Sequence, residues 1–208
     1  MHRSIGMLSI LFIVFFATAE VRAEVYIDLY AGSAKTNKGK SDISGGFGTS
    51  GDIEYDSSFT AGGRVGGWFL KYFGVGLDVF HFNSDPKNSA LEQSNWGVGL
   101  DFMGRLPLLV NETMPNGRLQ PYLTVGPAIF ISTLDFPGFT TEEGSSRSVG
   151  FKGGAGLKFL FTPNVGLFGE YRYTDFHSKD NLRNGPVTGE MTQHIGTHHF
   201  VGGFSIHF

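Results

Sequence analysis

The chain has 208 residues, among them 31 Gly, 21 Phe, 8 Pro and no Cys, and carries a formal net charge of -3. Without cysteine, a disulfide scaffold and a Cys-ligated metal site are impossible. Aperiodic glycine with so little proline is not collagen, 14% aromatic residues argue against disorder, and the weak acidity excludes a phosphate-tracking nucleic-acid partner.

Met1–Gly6 carries His2 and Arg3, and Met7–Phe16 is an apolar run. Ala17-Thr18-Ala19 and Val21-Arg22-Ala23 follow as two small-residue cleavage patterns. Together these predict a secretory signal peptide over 1–23, cut after Ala23 or after Ala19. The run is shorter than the ~20 apolar residues that a spanning helix needs. Residues 24–208 then form the mature domain.

From Val25 onward the sequence alternates with a period of two, the mark of a strand with two different faces. Val25, Ile27, Leu29 and Ala31 share one face; Tyr26, Asp28, Tyr30 and Gly32 share the other. Ala61, Val65 and Phe69 oppose Arg64, Gly66 and Trp68, and Phe73, Val75, Leu77 and Val79 oppose Gly74, Gly76, Asp78 and Phe80. Trp96, Val98, Leu100 and Phe102 oppose Gly97, Gly99, Asp101, Met103 and Arg105. Leu123, Val125, Pro127, Ile129 and Ile131 oppose Tyr122, Thr124, Gly126, Ala128 and Phe130. Phe151, Ala155, Leu157 and Phe159 oppose Lys152, Gly154, Gly156 and Lys158; Val165, Leu167, Tyr171 and Tyr173 oppose Gly166, Phe168, Glu170 and Arg172. Last, Phe200, Phe204, Ile206 and Phe208 oppose His199, Gly203, Ser205 and His207. The pattern predicts eight strands and no amphipathic helix.

Each predicted strand runs about 10–13 residues, longer than the usual ~5–6 and close to the ~9–11 of a tilted membrane-spanning strand. Links near 36–57, 83–94, 133–147 and 177–196 are long and polar, whereas 70–72 and 162–164 are short. This alternation matches long outer loops and short periplasmic turns. The link from Pro107 to Arg118 departs from it, being long for a periplasmic turn. A soluble lipocalin-like barrel is the competing fold; it would bury its apolar faces and expose its charged ones. The expected fold is an all-β, eight-stranded antiparallel transmembrane up-and-down barrel.

Four stretches carry a family resemblance: Phe59–Trp68 (FTAGGRVGGW), Leu119–Pro127 (LQPYLTVGP), Gly169–Phe176 (GEYRYTDF) and His199–Phe208 (HFVGGFSIHF). The chain resembles the small porin-like outer-membrane β-barrel proteins, a group similar to the OmpA transmembrane domain and the opacity proteins. The resemblance spans 24–208 and implies the cell outer membrane of a Gram-negative bacterium, with lipid and lipopolysaccharide as its surroundings. Phe208, with Ile206 and Phe204 on the same face, looks like the signal read by the barrel-assembly machinery. With Phe208 last, no periplasmic domain is expected to follow.

On the inferred lumen side, Asp28, Asp78, Asp101 and Glu170 face Arg64, Arg105, Lys152, Lys158 and Arg172. Eight strands enclose a lumen just wide enough for side chains, and an unpaired charge there costs several kcal/mol. A structural ion-pair network is favoured over a charge-lined solute path. Some barrels of this size modify lipid A, and the deacylase type resembles a His-x-Ser pair on one strand face. No His-x-Ser occurs; His177 and Ser178 are adjacent and point to opposite faces. The palmitoyltransferase type implies an N-terminal amphipathic helix, which Glu24 onward does not supply, and an outer-membrane protease implies more strands.

His177, His194, His198 and His199 fall near the outer end of the last hairpin as a candidate transition-metal set, but their spacing matches no defined site, so no metal or other cofactor is expected. Asp52, Glu54, Asp56, Glu142 and Glu143 fall in outer loops as solvated acids, and Asn111-Glu112-Thr113 matches a glycosylation acceptor by chance. The expected role is non-enzymatic: envelope integrity, with outer loops contacting lipopolysaccharide, host surfaces or ligands. The alternatives are a narrow porin-like or hydrophobic-solute channel and, third, a lipid A-modifying enzyme.

Overall fold

A computed structural model describes residues 24–37, 39–45, 51–69, 71–84, 87, 92–135, 140–141, 146–184 and 187–208. The expected signal peptide at 1–23, together with Glu142 and Glu143, lies outside the described residues. Eight long strands make the wall: β1 (Glu24–Thr36), β2 (Ser57–Phe69), β3 (Phe73–Asn83), β4 (Glu92–Arg105), β5 (Leu119–Asp135), β6 (Ser146–Leu160), β7 (Val165–Asn184) and β8 (Val187–His207). Each pairs antiparallel with its neighbours in sequence. Pairing of β1 with β8, from Tyr26↔His207 to Thr36↔Thr197, closes the barrel. Among the described residues no helix is long and apolar enough to cross a membrane; the strands cross instead.

The alternation sorts side chains as the sequence predicts. Leu29, Leu77, Phe102, Leu123, Phe151 and Phe204 are exposed on the outer wall, while Asp28, Asp78, Asp101 and Lys152 are buried within. A soluble barrel has the opposite arrangement. A wall this apolar is stable only against lipid.

Tight connections gather at the end that carries Glu24 and Phe208. At 161–164, the Thr162 hydroxyl accepts from the Val165 amide at 3.0 Å, and the Phe161 amide donates to the Val165 carbonyl at 2.9 Å. The longer link after β4 is folded back on itself, with a bridge between Leu108 and Leu119. In that link the Asn111 side chain accepts from the Met114 amide at 2.7 Å. This makes Asn111 a turn-former.

The opposite end differs from the sequence expectation in one respect. The stretch 177–196 reads as a loop, yet β7 and β8 run 20 and 21 residues and stay paired from Val165↔Ile206 to Asn184↔Val187. The short strand Gly39–Gly45 adds to the outer part of β8, Gly51–Ile53 adds to that strand, and Thr140–Thr141 pairs with β7. Hydrophobic alternation lapses in the sequence from Ser178 to Thr192 while backbone pairing continues. β5 likewise reaches 17 residues, past the 10–13 expected.

Within the wall, one close approach fixes a residue type. A Cβ on the inward-facing Gly126 of β5 would lie 1.7 Å from the Leu100 carbonyl oxygen of β4, which no side-chain rotation relieves. Gly169 has nothing within 4 Å of the same position. Gly126→Ala should therefore lower unfolding stability in lipid vesicles by about 1–3 kcal/mol, the usual penalty of overpacking. Gly169→Ala should stay within about 0.5 kcal/mol. Urea titration followed by heat-modifiable gel mobility measures both.

Candidate functional site: the charged lumen

The inward phase of alternation delivers a charged residue from most strands to one level of the lumen. β1 gives Asp28, β2 Arg64, β3 Asp78, β4 Asp101, β6 Lys152 and Lys158, and β7 Glu170 and Arg172; all are buried. Arg64 is the hub. Its Nε lies 2.9 Å from Asp101 Oδ2, its Nη2 donates to both Glu170 oxygens at 2.9 and 3.0 Å, and its Nη1 is 3.7 Å from Asp28 Oδ2. Arg172 bridges Glu170 at 2.7 Å and Asp78 at 3.1 Å. Lys152 pairs with Asp78 and, at 2.9 Å, with Asp101, and Lys158 donates to Asp28 at 3.0 Å. Four cations (Arg64, Lys152, Lys158, Arg172) thus meet four anions (Asp28, Asp78, Asp101, Glu170), and the layer is neutral.

Neutral side chains complete the network. Tyr30 donates to Asp78 at 2.6 Å and accepts from Arg172 at 2.8 Å, and Tyr122 donates to Glu170 at 2.8 Å. Ser205 joins Lys158 to Asp28. Sequence reasoning did not name these partners. Their signal was phase: Tyr30, Tyr122 and Ser205 occupy the same alternation as the charges beside them.

Arg105 joins this network at its periplasmic edge rather than in the central layer, since Glu24 links it to His207, which lies 2.8 Å from Ser205 and 3.4 Å from Lys158. It pairs with Glu24 at the periplasmic end, where His207 also meets Glu24, and its guanidinium covers the Trp68 ring at 4.4 Å. Arg105 is the last residue of β4 and Glu24 the first described residue of β1, so both sit at the barrel rim. The Asn116 amide donates to Glu24 at 2.8 Å, tying the long periplasmic link to this cluster.

On the outer side of the ionic layer lies a ring of aromatic side chains. Phe130 stacks on Phe176 at 4.0 Å, Phe80 meets Phe82 and Phe130 at 6.1 and 6.0 Å, and His199 abuts Phe82 edge-on at 4.9 Å. Gly97 makes room for the Phe80 ring, which would lie 2.3 Å from a Cβ there. The lumen is thus filled in two successive layers, one ionic and one aromatic.

The histidines separate by face. His177 and His194 meet on the outer wall, His198 turns to Tyr171 and Asn37, and His199 enters the lumen and contacts Thr174. A single four-histidine cluster does not form, because residues 198 and 199 project to opposite sides of β8. Ser178 also points inward, to Ser146 at 2.9 Å, while His177 points out. Glu54 and Asp56 are exposed, and Glu54 lies 3.7 Å from Lys87; the side chain of Asp52 is outside the described residues.

A model of the outer membrane protein beta-barrel domain family matches residues 8–208. The chain belongs to this family. No curated protein matches the chain. Among solved structures, it is similar to outer membrane protein OprG of Pseudomonas aeruginosa, at 17% identity and a TM-score of 0.66, covering 89% of this chain and 96% of that one. It is also similar to AlkL, determined in DMPC lipid bilayers, at 15% identity and a TM-score of 0.62, covering 92% and 93%. Neisserial surface protein A matches at 15% identity and a TM-score of 0.56, covering 88% and 97%. At such identities the likeness shows the fold alone. The protein resides in the outer membrane, with lipid and lipopolysaccharide around its apolar wall.

Removing the hub should expose the energetic weight of the ionic layer. Arg64→Met leaves Asp28, Asp101 and Glu170 short of a cation, and breaking a buried pair from one side costs about 3–5 kcal/mol. Lys87→Ala, at an exposed pair, should change stability by less than about 0.5 kcal/mol. Equilibrium unfolding in vesicles compares the two.

Proposed function

We propose that this protein is a closed, non-enzymatic barrel that braces the outer membrane and presents its extended outer hairpins to lipopolysaccharide, host surfaces or ligands. The observation that carries the reading is the double filling of the lumen. Cations and anions pair across the full width of the ionic layer, and the aromatic ring covers it on the outer side. No charge in that layer is left to select a passing ion. Strand extension supports the outward half of the reading, since β7 and β8 continue far past the lipid-facing apolar positions. Single-channel recording of the refolded protein tests closure. The expected result is no stable conductance, and a steady open current would overturn the plugged barrel in favour of a narrow channel. Lipid A acyl content should be the same with and without the protein; an altered profile would establish an enzyme.

Two further parts of this reading concern biogenesis. The segment 1–23 is a cleaved leader, consistent with Glu24 sitting in an ion-pair cluster at the rim. Phe204, Ile206 and Phe208 form the assembly signal, exposed on the outer wall at the periplasmic end of β8. Expressed in a Gram-negative host, the chain should be recovered from the outer membrane with a mass that begins at Glu24. Phe208→Ala should lower that yield while refolding normally in detergent. A mass beginning at Glu20, or an undiminished yield of the variant, would refute the corresponding part.

A further inference from the structure

The outer wall of the last hairpin carries a second group of titratable side chains, unconnected to the lumen. Tyr173, Asp175 and His177 lie on the outward face of β7, and His194, Gly196 and His198 on that of β8. His177 is directly opposite His194, with the two rings stacked at 4.6 Å and 26°. Asp175 is opposite Gly196; it accepts from the Tyr173 hydroxyl at 3.0 Å and lies 2.9 Å from His194 Nε2. The donor atoms of Asp175, His177 and His194 all fall within 4.8 Å of one another.

Gly196 permits this arrangement. A Cβ at that position would lie 2.5 Å from the Tyr173 hydroxyl, so a larger residue would push the phenol off Asp175. The carboxylate is therefore held by one neighbour and aimed at the two imidazoles. Such an outer-sphere donor, orienting a ligand's carboxylate, recurs around protein-bound metals.

We propose that Asp175, His177 and His194 form a surface site for a divalent transition-metal ion of the zinc, nickel or copper class. Two imidazole nitrogens and one carboxylate oxygen suit such ions, whereas calcium and magnesium favour oxygen-only shells. Zinc bonds of ~2.0–2.1 Å in tetrahedral geometry put donors ~3.3 Å apart. The His194–Asp175 contact is already that close, and His177, an exposed side chain, closes the remainder by rotating. Three protein ligands leave at least one position to water.

The height of the cluster fits an aqueous ion. The outermost aromatic on the outward face of these strands is Tyr173, one step beyond the facing pair Tyr171 and Phe200. From Tyr173 to His177 the strand climbs roughly 10 Å along the barrel axis, at ~3.3 Å per residue and a tilt near 40°. The site thus stands outside the hydrocarbon, at the level of lipopolysaccharide headgroups and sugars.

The test uses untagged, refolded protein in detergent micelles, with heat-modifiable mobility showing that every variant is folded. Zn²⁺ titrated by calorimetry should bind at one site, Co²⁺ should give the visible absorption of a tetrahedral complex, and Mg²⁺ should not compete. His177→Ala and His194→Ala should each weaken Zn²⁺ binding at least tenfold, and Tyr173→Phe by about tenfold. His198→Ala removes a ring that bonds to Tyr171 and Asn37 and packs on Tyr173 at 5.0 Å, and should weaken binding no more than Tyr173→Phe does. Absence of Zn²⁺ binding by the folded wild type would overturn the proposal. So would binding that survives in the His177→Ala/His194→Ala double variant, or that His198→Ala removes as completely as His194→Ala does.

Discussion

Charge placed inside a barrel of eight strands has to be neutralised by other side chains, because the lumen has no room for a full hydration shell. Every strand answers that demand at the central layer: Asp28 and Tyr30 from β1, Arg64 from β2, Asp78 from β3, Asp101 from β4, Tyr122 from β5, Lys152 and Lys158 from β6, Glu170 and Arg172 from β7, and Ser205 from β8. The network therefore does more than fill space. Shifting any one strand by a single residue turns its inward charged or hydroxyl group toward lipid and leaves its partners unpaired. Ion pairing here specifies register, a role for which buried polar groups are suited even where they add little net stability.

The wall and the lumen divide the work of holding the fold. Outward-facing Leu, Val, Ile and Phe match the barrel to the bilayer, and inward-facing charge sets which strand sits beside which. The aromatic layer of Phe80, Phe82, Phe130 and Phe176 then separates the ionic layer from the outer opening. Beyond it, β7 and β8 carry Thr140–Thr141 and Gly39–Gly45 as added pairings, so among the described residues β-structure continues outward on that side.

How much of this was legible in the sequence follows from what each signal depends on. The faces of Asp28, Phe80, Phe130 and Glu170 were readable because bilayer and lumen impose opposite chemistry on neighbouring residues. The continuation of β7 past His177 was not readable, because Ser178–Asn184 is almost wholly polar and carries no hydrophobic alternation. Pairing partners were legible only in part. Eight of the nine predicted lumen charges share one layer, but Arg105 pairs with Glu24, a matter of axial height that phase alone does not carry. The meeting of His177 with His194 depends on the register of the last hairpin, and that register is fixed by contacts lower in the barrel.

The seam between β1 and β8 has a kinetic meaning. Seven of the strand pairings join neighbours in the chain, but Tyr26↔His207 joins the two extremes of the described barrel. Loop-closure entropy makes that contact the slowest to form. Until it forms, β1 and β8 each present a row of unpaired backbone groups, and Asp28 waits for Ser205 and Lys158. Maturation of the barrel is therefore a race between sealing one seam and meeting another open edge.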